Sequence, residues 1–361
     1  MRNEEKELES YLPSGWEAAA RETGALQRSR KIKTAEELLE LNLLYLTGAG
    51  SFQNTAALMA VCNDIHLNKE ATRKRIRGSW QWLRWMGHRI SLENGYVIQA
   101  PEWLGHRSVY LVDATDVALP GGKSNDYRIH YAFDLFRYTA AYTEVTPIAQ
   151  GGEKLTRYPV KEGDIVIGDR IYGTIAGIEH VQAAGGSYVL RLKTKAFLLY
   201  DRQGTKISLL DHLQGITPWE PISLDCFYRD RNGQLQPVRI VATRKDEAET
   251  AKADDRLRKV AIRKQWKAIR PETKEMAQYI VLATNLPDTA AQVSELYRAR
   301  WQIERVFRRL KGLFGLGDPP CFTPDSVKAW FYGKLFLAAL CEVMTMDQPF
   351  SPDPGQDADP G

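Results

Sequence analysis

Between Leu296 and Gly315 the sequence LYRARWQIERVFRRLKGLFG holds six arginines and lysines and a single acid, Glu304. On a helix turning about 100° per residue, Arg300, Glu304 and Lys311 all fall within about 60° of Tyr297 and share one narrow polar stripe. Leu296, Ile303, Phe307 and Leu310 form the adjoining apolar stripe, and Arg298, Arg305, Arg308 and Arg309 make a cationic bank on the other side of Glu304. A carboxylate on the rim of a buried face can reach toward strands packed beneath it. It can equally make i,i+4 pairs with Arg300 or Arg308, each worth only about 0.2–0.5 kcal/mol.

Two more acids belong to apolar strand patterns. Asp113 ends the buried run of SVYLVDATDV, and Asp169 follows the apolar core of GDIVIGDRIYG, where Asp116 and Asp164 compete for the same roles. Carboxylates are depleted from strands, so two of them at the ends of neighbouring strands suggest ligands of a shared ion, although a strand-terminal Asp is often a turn residue. Two strand acids and one helix acid suit a two-metal phosphoryl-transfer site. Hard cations take oxygen ligands, sit about 3.5–4 Å apart and stabilise both the attacking and the leaving oxygen. Nearby Arg, Lys and Tyr side chains then hold a polyanionic substrate.

The elements that must position these acids follow from hydrophobic period. Thr34-Ala-Glu-Glu37 has the form of a capping box before LLELNLLYL, which predicts a helix over about 34–47. FQNTAALMAV predicts a second helix. NKEATRKRIRGSWQWLRWM predicts a third, capped by Asn68, with Arg73, Lys74, Arg75 and Arg77 followed by an apolar turn rich in Trp. That third helix reads either as a helix-turn-helix-like DNA contact or as a bundle helix with a solvated basic face. From about Ser108 the period becomes that of strands: SVYLVDATDV, RIHYAFDLF, YTAAYTEVTPI, GDIVIGDRIYG and, after a helix ending at Gly185-Gly186, SYVLRLK. Residues 194–275 interrupt this pattern with a hairpin around Asn232-Gly233 and a highly charged helical stretch. YIVLATNLP then returns to strand before the Glu304 helix, which should begin near Ala290.

Composition limits the alternatives. No apolar run reaches the roughly 18 residues of a membrane span, and the charged start MRNEEKELES is no secretory signal. Cys62, Cys226, Cys321 and Cys341 are too scattered for a zinc knuckle, and the six histidines show no metal-ligand spacing. A cytoplasmic protein is expected. The formal net charge of +4 permits a nucleic-acid partner without requiring one. The Gly-Gly pairs at 121, 151 and 185 lack a phosphate-loop pattern. Trp301, about 40° from Tyr297 on the wheel, is placed to stack on an unpaired base.

Tyr297, Arg300, Glu304 and Lys311 together match Tyr-x2-Arg-x3-Glu-x6-Lys, and on that signature the sequence resembles the DDE transposases of bacterial insertion sequences in the insertion sequence "four" family. LVDATDVALPG resembles that family's first-acid strand and GDIVIGDRIYG its second, which assigns Asp113 and Asp169 beside Glu304 as catalytic metal ligands. The resemblance runs from about residue 34 to about 340. It implies a helical N-terminal DNA-binding domain over 1–105 and a mixed-sheet α/β, ribonuclease H-like catalytic core over 106–193 and 276–345. The β-rich insertion of 194–275 and a disordered acidic tail of 346–361 complete the expected organisation. It further implies two Mg2+ ions, with Mn2+ as a substitute, and double-stranded DNA as partner, both as terminal inverted repeats and as target. A homodimer in the synaptic complex, nucleoid association on DNA and cleavage through a hairpin are implied as well, with Tyr297, Arg300, Lys311 and the 73–77 cations on DNA. The competing expectations are an inactive or domesticated DNA-binding descendant and a ribonuclease H-like nuclease without strand transfer.

Overall fold

The computed structural model describes residues 8–28, 30–93, 98–122, 125–317 and 319–346, so most of the acidic tail lies outside the described residues. The amino-terminal helices are α1 (Trp16–Glu22), which the pattern had not signalled, α2 (Ala35–Leu44), α3 (Phe52–Asn63), α4 (Lys69–Gly78) and α5 (Trp80–Glu93). Thr34 and Glu37 form the reciprocal capping box, and the Ser51 and Asn68 side chains accept from the third backbone N–H of their helices. The expected single helix from Asn68 onward is two. At Ser79 the backbone N–H turns back to the Ile76 carbonyl at 3.1 Å while its hydroxyl donates to Arg75 O at 2.9 Å, which breaks the regular ladder.

The strands are β1 (Val109–Val117), β2 (Tyr127–Asp134), β3 (Thr139–Pro147) and β4 (Ile165–Gly173), followed by α6 (Ile175–Ala183) and β5 (Ser187–Leu192). Next come α7 (Leu209–Leu213), β6 (Ile222–Arg229), β7 (Leu235–Arg244), α8 (Glu247–Arg263), α9 (Pro271–Met276) and β8 (Tyr279–Thr284). The chain closes with α10 (Ala290–Arg298), α11 (Trp301–Gly312) and α12 (Pro324–Met346). The eight strands among the described residues join one mixed sheet in the order β3-β2-β1-β4-β5-β8-β7-β6. β1 is antiparallel to β2 and parallel to β4, β4 is parallel to β5, and β8 returns antiparallel to β5. The β6–β7 hairpin within 194–275 pairs through β7 with β8, so that segment lengthens the same sheet beyond β5.

Alternation along the strands separates two cores. Val109, Leu111, Ile165 and Ile167 face a cluster that also holds Trp82 and Met86 of α5, Ile303 and Phe307 of α11, and Phe331 and Phe336 of α12. Val112, Val166, Tyr188 and Leu190 face the other cluster, with Ile178 and Val181 of α6. The amino-terminal helices and the helix of Glu304 therefore share one continuous core on one face of the sheet. Among the described residues no helix is long and apolar enough to cross a membrane.

Candidate active site

Asp113 and Asp169 lie inside their strands and not at strand ends. β1 continues to Val117 because β2 keeps pairing with it, Asp113 opposite Tyr131, and β4 continues to Gly173. What stops at the acids is the β1–β4 parallel pairing, whose last register pair is Val112 with Gly168. The next residue on each strand is the carboxylate. Strand parity then points both acids to the face covered by α11.

Asp113 is held closely. Its Oδ1 accepts from the Ala114 N–H at 2.8 Å, and its backbone carbonyl accepts from the Tyr158 hydroxyl at 3.0 Å. Burial pushes its carboxyl up to about 6, and the charge of Asp169 adds to the shift against the opposing Ala114 N–H and Arg300. The Asp169 Oδ1 accepts from the Ile171 N–H at 2.7 Å. Gly168 allows the close approach behind it, since a Cβ there would stand 2.9 Å from Tyr172 Cβ and 3.1 Å from Leu190 Cδ2. Gly168→Ala is expected to shift Asp169 and cost about 1–3 kcal/mol of stability. A thermal melt and a DNA-nicking assay check this together, and normal values in both would remove the steric argument.

Glu304 projects from the first turn of α11 toward the same place. The Arg300 guanidinium links it to the strands, with Nη2 at 2.5 Å from Glu304 Oε1 and Nη1 at 3.7 Å from Asp113 Oδ2. The expected single helix is jointed just there. Bonds from Arg300 N to Tyr297 O, Gln302 N to Ala299 O and Ile303 N to Arg300 O span three residues, which marks a tight turn between α10 and α11. Lys311 donates to the backbone carbonyl of Asp116 at 3.0 Å, fastening the far end of α11 to β1. Tyr297 is buried to 8% exposure and stands among the charges of Arg170 and Arg300.

The competing acids are occupied elsewhere. Asp116 receives Arg128 through two bonds, at 2.6 and 2.9 Å, which hold its carboxyl below the usual range. Asp164 precedes β4 and accepts from the Lys161 N–H at 2.8 Å, at the opposite end of the parallel strands. The arginine bank is divided. Arg305 and Arg308 both lie near the half-exposed Trp301 ring, at 5.8 and 6.0 Å from its centroid, whereas Arg309 is tied to Glu342 of α12. Of the amino-terminal cations, Arg73 pairs with Glu70, Arg75 donates to Arg28 O and Arg77 reaches Asp325, while Lys74 is exposed and has no partner among the described residues. Sequence reasoning missed Glu153, which pairs with Arg128 at 3.0 Å and lies within electrostatic reach of Asp116 and Asp169. Its only signal was the neighbouring Gly151-Gly152 turn.

The donor set suits a hard divalent cation: oxygen only, with two carboxylates side by side and a guanidinium already drawn between Asp113 and Glu304. Among the described residues no three acidic, His or Cys side chains converge closely enough to chelate one ion as the side chains stand. Arg300 would have to yield for Glu304 to become a ligand.

One large mixed sheet with acids at the divergence of β1 and β4, overlain by a helix bearing a third, fits the ribonuclease H-like class of DDE domains. The transposase DDE domain family matches residues 104–341, well over half of the chain, and the chain belongs to that family. It is similar to the putative transposase InsL of insertion sequence element IS186A from Escherichia coli (strain K12), with 28% identity covering 91% of this chain and 90% of that protein. The transposase of insertion sequence element IS421 from Escherichia coli is 28% identical over the same shares. The transposase of IS231F from Bacillus thuringiensis subsp. israelensis is 29% identical over 50% of this chain and 42% of its own length. The chain is thus a DDE transposase of insertion-sequence type, an enzyme that acts on DNA and depends on a divalent metal.

Proposed function

We propose that this transposase belongs to the insertion sequence "four" family through Tyr297, Arg300, Glu304 and Lys311, and that Asp113, Asp169 and Glu304 are its catalytic carboxylates. The observation that carries the reading is the register. Asp113 and Asp169 are the first residues past the last β1–β4 pair, and Arg300 joins Asp113 to Glu304 across the gap between sheet and helix. The three carboxylates would hold two Mg2+ ions, with Mn2+ as a substitute. When bound, such ions lower the pKa of an attacking water or 3′-hydroxyl and neutralise charge at the scissile phosphate. Asp113 and Asp169 fix that position because their strands diverge there, and Glu304 closes it from above.

Freed from Glu304, the Arg300 guanidinium offers a fork to phosphate oxygens, and Lys311 a point charge. Trp301, half-exposed beside Arg305 and Arg308, would stack on an unpaired base. A helical amino-terminal domain over about 1–105 reads the terminal inverted repeats, with Lys74 its freest cation among 73–77. A homodimer pairs the two ends, the ends are released through a hairpin, and they are joined to target DNA. The test is a supercoiled plasmid carrying the element between its own repeats, incubated with the protein and Mg2+ beside a recipient plasmid. Excised hairpin ends on a denaturing gel and recovered integrants are expected. Nicked DNA without hairpins would remove the hairpin step, and cutting without integrants would leave a nuclease.

A further inference from the structure

The acid-free stretch with the most cations lies outside the acidic site, at the end of α8. From Arg256 to Arg270 the chain has seven cations and no acid. All seven are exposed. Within the described residues Lys259 pairs with Asp255, and Arg256, Arg258, Arg263, Lys264, Lys267 and Arg270 have no carboxylate partner.

Helix physics explains part of this. Asp246 caps α8, Glu247 and Glu249 fill its first turn and Arg263 its last, all favourable to the helix dipole. The dipole effect fades within a turn and does not reach Lys267 or Arg270. It also does not account for Ile262 and Trp266, which stand 78% and 43% exposed among these charges. The turn that presents Trp266 is fixed: Gln265 adopts a φ of 53°, and the Trp266 N–H bonds back to Ala261 O at 2.9 Å. Ala261 is the only buried residue of α8. A half-buried stripe of Ala253, Leu257 and Val260 seats this arm, and its cationic face turns to solvent.

Its place in the fold selects a partner. β7 runs parallel to β1 and β4, so α8 leaves it at the end of the sheet toward which those strands run past their acids. Leu257 of the arm lines a cavity of about 580 Å³ together with Arg170, Arg191, Lys193, Lys195 and Lys206. Arg170 follows Asp169 directly, and neither Arg170 nor Arg191 has a carboxylate within ion-pair distance among the described residues. At the base of the arm, burial and then Arg191 and Arg170 push the Lys245 ammonium down to about 8. Cations thus run from beside Asp169, past the cavity, to the tip of the arm. We propose that the segment Arg256–Arg270 is a DNA-holding surface that binds the sugar-phosphate backbone of duplex DNA without regard to sequence, away from the carboxylates. This rests on the chain's being a DNA transposase and deepens that reading by adding where duplex outside the cut is held.

The test is the full-length variant R263Q/K264Q/K267Q, titrated by anisotropy against a random-sequence duplex of about 30 base pairs, from about 50 to 200 mM KCl. Each lost phosphate contact lowers the salt slope by about 0.9, so a decrease of about 2–3 in its magnitude is expected at an unchanged melting temperature. The charge-keeping variant R263K/K264R/K267R should retain the slope. An unchanged slope in the glutamine variant would overturn the proposal. So would a loss confined to vesicles of anionic lipid, with duplex binding normal. Asp113→Asn separates the two readings: if it still cleaves, the carboxylate assignment fails, while the salt slope continues to report on the arm.

Discussion

Cleavage of element-end DNA is expected to fall by at least about 1,000-fold in Asp113→Asn and in Glu304→Gln, while end binding stays within a few-fold of the parent. Charge neutralisation at the scissile phosphate supplies several kcal/mol, and each 1.36 kcal/mol is a decade in rate. Both substitutions keep size and remove only the charge. Glu304 is exposed at the rim and Asp113 is backed by Tyr158 through its carbonyl, so neither variant should unfold the chain. Asp116→Asn is the control: its carboxyl is spent on Arg128, and cleavage should persist. A Glu304→Gln protein that cuts normally but no longer binds would move Glu304 out of the chemistry and into substrate contact.

The second large effect concerns Trp82, fully buried in α5, stacked on Trp16 at 6.1 Å and donating its indole N–H to the Trp16 carbonyl at 2.8 Å. Trp82→Ala should cost about 3–5 kcal/mol. A single lowered unfolding transition, shifted by on the order of 10 °C, is expected by circular dichroism and by calorimetry. The reason is the shared core, in which Trp82, Phe336 and Phe307 belong to one buried cluster. Two separated transitions, with only the earlier one moved, would show that residues 1–105 melt as an independent unit.

Period carried the sequence reading where contacts are local. Alternation in SVYLVDATDV and GDIVIGDRIYG placed both acids on strands, the Asn232-Gly233 hairpin formed where turn chemistry put it, and the apolar stripe of Leu296, Ile303, Phe307 and Leu310 is buried. Long-range partner choice was not legible. Nothing local told Arg309 to meet Glu342, Arg128 to take Asp116 or β7 to find β8, because these pairings depend on how distant elements pack. The two helix breaks escaped for a related reason. Ser79 and Ala299 sit in sequences with good helical period, and only the hydrogen-bond ladder reveals where it slips.

The Arg300 bridge has a consequence for the idle molecule. Under the proposed assignment, three acids gathered for metal and DNA would repel one another whenever both are absent, and the helix above them would tend to drift away. A built-in countercharge lets the blade be assembled in advance, sheathed by its own arginine. On that assignment, drawing it would take two arrivals at once, a cation to replace the guanidinium and a phosphate to receive it. A DNA-cutting enzyme would benefit from such a double requirement, since metal alone or DNA alone would leave the edge covered.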